Sequence, residues 1–176
     1  GFGPDHIVIG KIARLFHLKG HEFLIAAARQ VIDRLPAARF LLVGDGLLGP
    51  TLQRQVAALG LTDHFRFAGL LPPTEIPAAL SAMDLVVHTS LREGLARILP
   101  QALLAGRPVV SFDIDGAREV VRNGETGILL PPGDTPGLAD AILALALDPI
   151  ERKRLADGGR AACQERFCHH VMTDRI

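Results

Sequence analysis

Two cations lie five residues apart near the start of the chain. Arg14 and Lys19 flank the loop between the first predicted strand and the helix that follows it. In an open parallel sheet this loop lies at the carboxyl edge of the strands, where ligands bind. A guanidinium fork and a flexible ammonium group together suit the oxygens of a diphosphate. The alternative is a pair of solvated surface cations. Without further evidence this alternative is favoured, because Lys and Arg are common on protein surfaces.

A second candidate segment surrounds Glu93. It follows a predicted strand over 84–88 and precedes a helix that begins near Arg97. The free amides and the dipole of a helix N-terminus favour phosphate. Pro100 requires the late start, because proline is tolerated only near the first turn. An ordinary glycine turn is the alternative. The residues whose backbone amides would face the same ligand are Gly94, Leu95 and Ala96.

Glu93 and Gln101 are eight positions apart, about 12 Å along a helix axis if both were helical. We expect them at opposite ends of one bound molecule. The carboxylate of Glu93 can accept hydrogen bonds from two sugar hydroxyls, and the amide of Gln101 can pair with a ribose diol. For Gln101 the alternative is a polar side chain covered by a neighbouring loop.

Gly44-Asp45-Gly46 follows the second predicted strand at the same edge. A dinucleotide fingerprint requires a third glycine and a place after the first strand, so NAD and FAD are discounted. Asp115 or Gly116 is expected to cap the next short helix. Arg118, close behind, is expected to face solvent.

No metal site is expected, and no histidine is assigned a catalytic role. The histidines considered, which lack metal-motif spacing, are His17, His21, His64 and His88. Cys163 and Cys168 are interpreted as free thiols of a reducing compartment. A site built from Cys168, His169 and His170 is the disfavoured alternative.

The 176 residues suit one domain, and a hydrophobic content of 48% supports a core. Lys plus Arg and Asp plus Glu number 19 each, so no global field attracts nucleic acid or an anionic membrane. Apolar runs are too short to span a bilayer, and no signal sequence is recognised. These features predict a cytoplasmic protein.

Short apolar runs alternate with longer amphipathic ones, which predicts a doubly wound parallel sheet of Rossmann-like α/β type with helices on both faces. The predicted strands are 6–15, 39–43, 65–68, 84–88, 108–112 and 127–130. The predicted helices are 19–35, 51–59, 76–83, 97–105, 117–122, 138–147 and 150–166.

The whole chain resembles the C-terminal, donor-binding domain of GT-B glycosyltransferases of family 4, which retain anomeric configuration. The series of motifs in order is far more specific than any one of them. They are Gly10-x-x-x-Arg14 with Lys19-Gly20, Leu42-Val-Gly-Asp-Gly46, Phe67-x-Gly69, Ala82-x-Asp84, Ser90-x-x-Glu93-Gly94, Ala105-Gly-x-Pro108-Val-Val, and Gly124-Glu-Thr-Gly127 with Pro131-Pro-Gly-Asp134.

The resemblance implies transfer of a sugar from a nucleoside diphosphate sugar to an acceptor, with no metal or other cofactor. It assigns the diphosphate to Arg14 and Lys19, with backbone amides from Gly94, Leu95 and Ala96. Glu93, the catalytic assignment, would contact the donor sugar. The residues assigned to the ribose and base are Gln101, Leu70, Leu71 and Gly44.

Two departures qualify this resemblance. Gln101 replaces the glutamate that in the family pairs with the ribose, which predicts altered nucleotide affinity or preference. The N-terminal acceptor domain is absent, so residues 1–176 are expected to be a fragment that binds donor weakly and transfers nothing.

Two other functions stay open: half of a nucleotide-sugar 2-epimerase, or a non-catalytic nucleotide-sugar-binding module. The base, the donor sugar and the acceptor are not identified. A lipid acceptor would bring the parent protein to the cytoplasmic face of a membrane.

Overall fold

A computed structural model describes residues 2–94 and 96–167. The strands are β1 (Ile7–Ile12), β2 (Ala38–Val43), β3 (Phe65–Gly69), β4 (Leu85–His88), β5 (Val109–Phe112) and β6 (Gly127–Leu130). The helices are α1 (His21–Arg34), α2 (Gly49–Ala58), α3 (Ile76–Ser81), α4 (Ile98–Leu104), α5 (Ala117–Val120), α6 (Thr135–Leu147) and α7 (Pro149–Phe167). Short 3-10 helices cover His17–Lys19, Thr62–His64 and Pro73–Glu75.

All six strands pair in parallel, in the order β3-β2-β1-β4-β5-β6. The chain winds outward from β1 to β3, then returns across β1 to build the other half from β4. The order therefore reverses between β1 and β4. In an open parallel sheet such a reversal opens a crevice at the carboxyl ends of the two strands. The loops that follow β1 and β4 carry Lys19 and Glu93.

Successive side chains of a strand pack on opposite faces of the sheet. Ile9 of β1 belongs to the core beneath α1 and α6, whereas its neighbour Val8 belongs to the core beneath α4 and α7. Phe23 of α1 meets Phe112 of β5 edge to face, with ring centroids 5.4 Å apart. Both faces of the sheet are covered, and the predicted fold class is confirmed.

Two predicted boundaries were wrong at the end of β1. The strand stops at Ile12 rather than Leu15, because the backbone turns where the amide of Phe16 bonds the carbonyl of Arg14, at 2.8 Å. Helix α1 begins at His21 rather than Lys19, because Gly20 has left-handed angles, φ 61° and ψ 38°. Lys19 consequently ends a separate 3-10 helix at the rim of the crevice.

None of the helices within 2–94 and 96–167 combines the length and apolar character needed to cross a bilayer.

Gly20→Ala is expected to destabilise the fold more than Gly60→Ala. Both glycines are left-handed, at φ 61° and 70°, which costs an alanine about 1–2 kcal/mol. A Cβ on Gly20 would also lie 2.0 Å from the carbonyl oxygen of Thr89, whereas one on Gly60 has open space. The clash should add about 1–3 kcal/mol. Urea unfolding of the two variants measures the difference, and equal losses would contradict the close approach.

Candidate functional site

An ion pair joins the two loops at the switch point of the sheet, where the strand order reverses between β1 and β4. The ammonium group of Lys19 donates to Oε1 of Glu93, and each side chain is about one-fifth exposed, at 22% and 21%. A backbone hydrogen bond of 2.9 Å from Leu91 to Leu18 also links the two loops. The structure therefore brings together the cation and the carboxylate that the sequence placed in separate motifs.

Glu93 is held from three sides. Besides Lys19, the hydroxyl of Ser90 donates to its Oε1 at 2.9 Å, and Oδ2 of Asp115 accepts from its backbone amide at 2.6 Å. Burial by itself would raise the pKa of Glu93, but the hydrogen bonds from Lys19 and Ser90 outweigh it and lower the pKa. The carboxylate is therefore ionised at neutral pH and can accept hydroxyl donors.

A second lysine is buried beneath this pair. Lys11, in β1, is 1% exposed, and its Nζ donates to the hydroxyl of Thr89 at 2.7 Å. That hydroxyl in turn donates to the carbonyl of Gly20 at 2.6 Å. Burial lowers the pKa of Lys11 to about 7; the charge of Glu22 opposes this and that of Lys19 adds to it. Lys11 thus connects β1, the end of β4 and the start of α1.

Two histidines are also buried at this end of the sheet. Nε2 of His21 donates to the carbonyl of Arg14 at 3.0 Å, which fixes the backbone of that loop. Burial, followed by the charge of Lys11, lowers the pKa of His21 to about 3. His88 bonds Ser111 through Nδ1 at 3.0 Å, and its Nε2 lies 3.6 Å from Oε1 of Glu93. Burial, then the charge of Lys11, lowers the pKa of His88 to about 4. Both rings are neutral at pH 7.

Arg14 is exposed in the loop after β1. Its guanidinium carbon lies 5.6 Å from the centroid of the Phe16 ring. No ion pair involving Arg14 is found within the described part of the chain. Its charge is therefore open to a ligand, in contrast to that of Lys19.

The predicted amide donors were expected ahead of a helix that begins near Arg97. Because α4 begins at Ile98, Gly94 and Ala96 belong to the preceding loop. Leu95 lies outside the described residues. Pro100 is the third residue of α4, in agreement with the late start that its missing N–H requires. The estimated helical separation of Glu93 and Gln101 does not apply, since Glu93 is not helical.

The residues assigned to the ribose and base do not share one cavity. Gln101 is exposed and lines an apolar cavity of about 300 Å³ between α3 and α4. Gly44 lines another cavity of about 260 Å³, beside Leu15 and Phe67. A Cβ on Gly44 would lie 2.1 Å from the carbonyl oxygen of Ala13, so this glycine allows two loops to approach closely.

The loop after β3 carries the two leucines that were expected to frame the base. Leu70 is 70% exposed, whereas Leu71 is partly buried against the core beneath α4 and α7. Their assignment to the base stays a prediction.

Sequence reasoning missed three residues of this site. Lys11 was hidden within an apolar strand, where a lone lysine was itself a signal of a buried charge. His88 ends the apolar run of β4 directly before Thr89 and Ser90, and was assigned no role. Asp115 or Gly116 was expected to cap α5, and Gly116 is the N-cap. The contact that was missed is that of Asp115, which has a left-handed φ of 40° and bonds the backbone amide of Glu93. Arg118 pairs with Asp113 at the surface, which agrees with its predicted exposure.

No cluster of three or more His, Cys, Asp or Glu side chains is placed to hold a metal ion among residues 2–94 and 96–167. The alternative site at Cys168, His169 and His170 lies outside those residues.

Replacing Lys11 with methionine is expected to flatten the dependence of stability on alkaline pH. The pKa of Lys11 is lowered from 10.5 to about 7. Between these values the unfolded chain binds the proton more tightly, so the free energy of unfolding rises with pH in that window. Lys11→Met should remove this rise and stabilise the chain most at pH 7. Urea unfolding at pH 7 and 9.5 tests this, with the exposed Lys153→Met as control. Equal pH slopes for wild type and Lys11→Met would contradict it.

Comparison with known proteins places this arrangement in a family. The sequence model of the glycosyl transferases group 1 matches residues 5–148. Alpha-D-kanosaminyltransferase of Streptomyces kanamyceticus is 33% identical over 153 residues, which are 87% of this chain and 40% of that protein. Phosphatidyl-myo-inositol mannosyltransferase of Mycobacterium leprae is 34% identical over 159 residues, 90% of this chain and 41% of the relative. The chain thus spans about two-fifths of these relatives.

Solved structures agree with this family assignment. Anabaena Alr3699/HepE in complex with UDP-glucose superposes with a TM-score of 0.90 at 33% identity, over 97% of this chain and 47% of that one. The same protein has been solved with UDP. The sheet and its helices match GT-B glycosyltransferase structures, and the chain belongs to the glycosyl transferases group 1.

Proposed function

We propose that this chain is the donor-binding part of a retaining GT-B glycosyltransferase of family 4. The parent enzyme would transfer a sugar from a nucleoside diphosphate sugar to an acceptor, with retention of configuration. The observation that carries the proposal is the Lys19–Glu93 pair at the sheet switch point. A cation suited to the diphosphate lies beside a carboxylate suited to the sugar hydroxyls.

The charges suggest how the donor is held. Lys19 and Arg14 would neutralise the diphosphate, the first after leaving Glu93 and the second from its exposed position. The same cations would stabilise the negative charge that develops on the diphosphate as it leaves. We therefore propose that the reaction needs no metal. Glu93, once free of Lys19, would accept hydrogen bonds from the donor sugar.

The relatives favour transfer over epimerisation, because those described above are named as transferases. HepE in complex with UDP-glucose supports a nucleoside diphosphate sugar as the ligand class. The family motifs around Arg14, Lys19 and Glu93 support retention. Since the chain spans less than half of these relatives, we propose that another domain supplies the acceptor site. The isolated chain would then bind donor without transferring sugar.

The donor site is tested by thermal unfolding of the 176-residue chain with UDP, GDP and ADP and with their glucose conjugates. Ligand at about 100 times its dissociation constant adds roughly 2.7 kcal/mol of stability, a shift of several degrees. We expect one base to give this shift, and Arg14→Ala and Lys19→Ala each to reduce it strongly. A parallel assay of sugar transfer from the donor to simple acceptors should detect no product.

Lys153→Ala is the matched control, because Lys153 is an exposed cation on α7 that pairs only with Asp157 within the described residues. It should leave the shift unchanged. A shift that persists in Arg14→Ala and Lys19→Ala would place the nucleotide elsewhere. No shift with any of the six ligands would contradict donor binding by this chain.

Gln101 is expected to contribute a modest share of donor affinity. If its amide pairs with the ribose, Gln101→Ala should weaken binding by up to about tenfold, the effect of one neutral hydrogen bond. Gln164→Ala, on the exposed face of α7, provides the control. Calorimetric titration of both variants measures the difference. Unchanged affinity in Gln101→Ala would remove the residue from the site.

The Gln101→Glu variant separates the enzyme from a non-catalytic module. A large gain in turnover of the full-length protein would mean that glutamine marks a lost function. Without a gain, glutamine is the working residue of this protein.

A further inference from the structure

His88 has one ring nitrogen that is buried without a hydrogen-bond partner. The residue is 3% exposed, and its Nε2 accepts and donates nothing within the described structure. A carboxylate oxygen, Oε1 of Glu93, lies 3.6 Å from it. A buried polar atom without a partner is uncommon and calls for an explanation.

The hydrogen bonds of Ser111 indicate a tautomer for neutral His88. When the Ser111 hydroxyl donates to the carbonyl of Phe112, at 2.8 Å, its oxygen accepts from Nδ1 of His88, 3.0 Å away. In this arrangement neutral His88 has N–H at Nδ1 and a lone pair at Nε2. That lone pair faces a carboxylate oxygen, an arrangement that becomes favourable only when Nε2 gains a proton.

The single ammonium group of Lys19 cannot pair equally well with Glu93 and with a diphosphate. In the structure its ammonium group pairs with Glu93. A diphosphate carries more negative charge than one carboxylate and would draw Lys19 toward it, leaving Glu93 with the hydroxyl of Ser90. A half-buried carboxylate without a cation is costly, and the nearest group able to become one is His88.

We propose that Glu93 exchanges Lys19 for protonated His88 when the donor diphosphate binds. This inference rests on the proposed function. Nε2 takes a proton from solvent, and the new N–H points at Oε1 of Glu93. His88 is then a positioning residue: it keeps the carboxylate in place for the sugar hydroxyls while Lys19 holds the diphosphate.

The charges that face His88 agree with an exchange tied to donor binding. Lys11 in β1 and Lys19 before α1 oppose protonation, whereas Glu93 in the loop after β4 favours it. Ser111 in β5 is neutral. With Lys19 bound to Glu93, burial and the two lysines lower the pKa of His88 to about 4. When the diphosphate neutralises Lys19, one opposing charge is removed and the attraction of Glu93 is no longer shared.

The first test needs no donor. Lys19→Met removes the partner of Glu93 and imitates the departure of Lys19. Nitrogen-15 NMR of labelled histidine reports the tautomer and titration of His88, whose signal is assigned by its loss in His88→Gln. We expect the proton-binding constant of His88 to rise at least about tenfold in Lys19→Met, a pKa change of one or more.

The double variant Lys19→Met/Glu93→Gln separates pairing from simple removal of a positive charge. If His88 pairs with Glu93, the increase should largely disappear in the double variant. An unchanged titration in Lys19→Met, or an equal increase in the double variant, would overturn the exchange.

The second test uses calorimetry with UDP-, GDP- and ADP-glucose in buffers of different ionisation enthalpy. Binding at pH 7 should take up as much as about one proton, so affinity should fall as pH rises. His88→Gln, which offers an N–H but cannot titrate, should lose this uptake and bind the nucleotide sugar about tenfold more weakly. The affinity of His88→Gln for UDP, GDP or ADP should fall less than its affinity for the nucleotide sugars, because Glu93 is proposed to contact the sugar.

Lys11→Met controls for the other buried group that titrates near neutrality. Proton uptake that survives in His88→Gln but is lost in Lys11→Met would overturn the role of His88. Binding that leaves His88 with N–H only at Nδ1 would overturn the exchange while supporting the donor site. Absence of binding by all three nucleotide sugars would overturn the proposed function and the donor-driven exchange together.

Discussion

The parallel pairing of β1 with β4 is the constraint on which the site depends. Ile9 pairs with Leu85 and Gly10 with Val86, although these residues are far apart in the sequence. The pairing reverses the winding of the sheet and places the loops after both strands side by side. Lys19 and Glu93 can then form an ion pair. Gly10 is part of this constraint, because a Cβ at that position would lie 1.9 Å from the sulfur of Met83.

The polar groups beneath these loops make the carboxyl edge of the sheet different from the rest of the core. Lys11, His21 and His88 are buried where apolar side chains would stabilise the fold more. Each has a pKa lowered first by burial, so each favours its neutral form. Their hydrogen bonds fix the loop at Arg14 and the start of α1. The loss of stability from these buried polar groups occurs at the edge where ligands of such sheets bind, and functional sites commonly show such a loss.

Much of the architecture was predictable because buried parallel strands form continuous apolar runs. All six strands and seven helices of the described residues were located, and the largest boundary errors, three residues each, are at the end of β1 and the start of α6. Lys19 and Glu93 were predicted individually as candidate binding residues, since loops after strands are the expected places for such residues. Their ion pair was not predicted, because it depends on loop conformations 74 residues apart in sequence. The contacts of Lys11 and His88 depend on which side chains surround them. Sequence periodicity predicts only the face of the sheet on which each side chain lies, so these contacts could not be predicted.

Asp115 shows how the site restrains its own carboxylate. An aspartate with φ 40° is strained unless a local interaction offsets it, and here its Oδ2 accepts the backbone amide of Glu93. This bond holds the main chain of Glu93 whichever cation its side chain contacts. Ser90 similarly bonds Oε1 without carrying charge. The backbone and one neutral hydrogen bond are therefore independent of Lys19, so under the proposed exchange the ammonium group would move to a diphosphate while Glu93 stays in place. A site in which Lys19 alone positioned Glu93 would lose its carboxylate geometry on binding the donor.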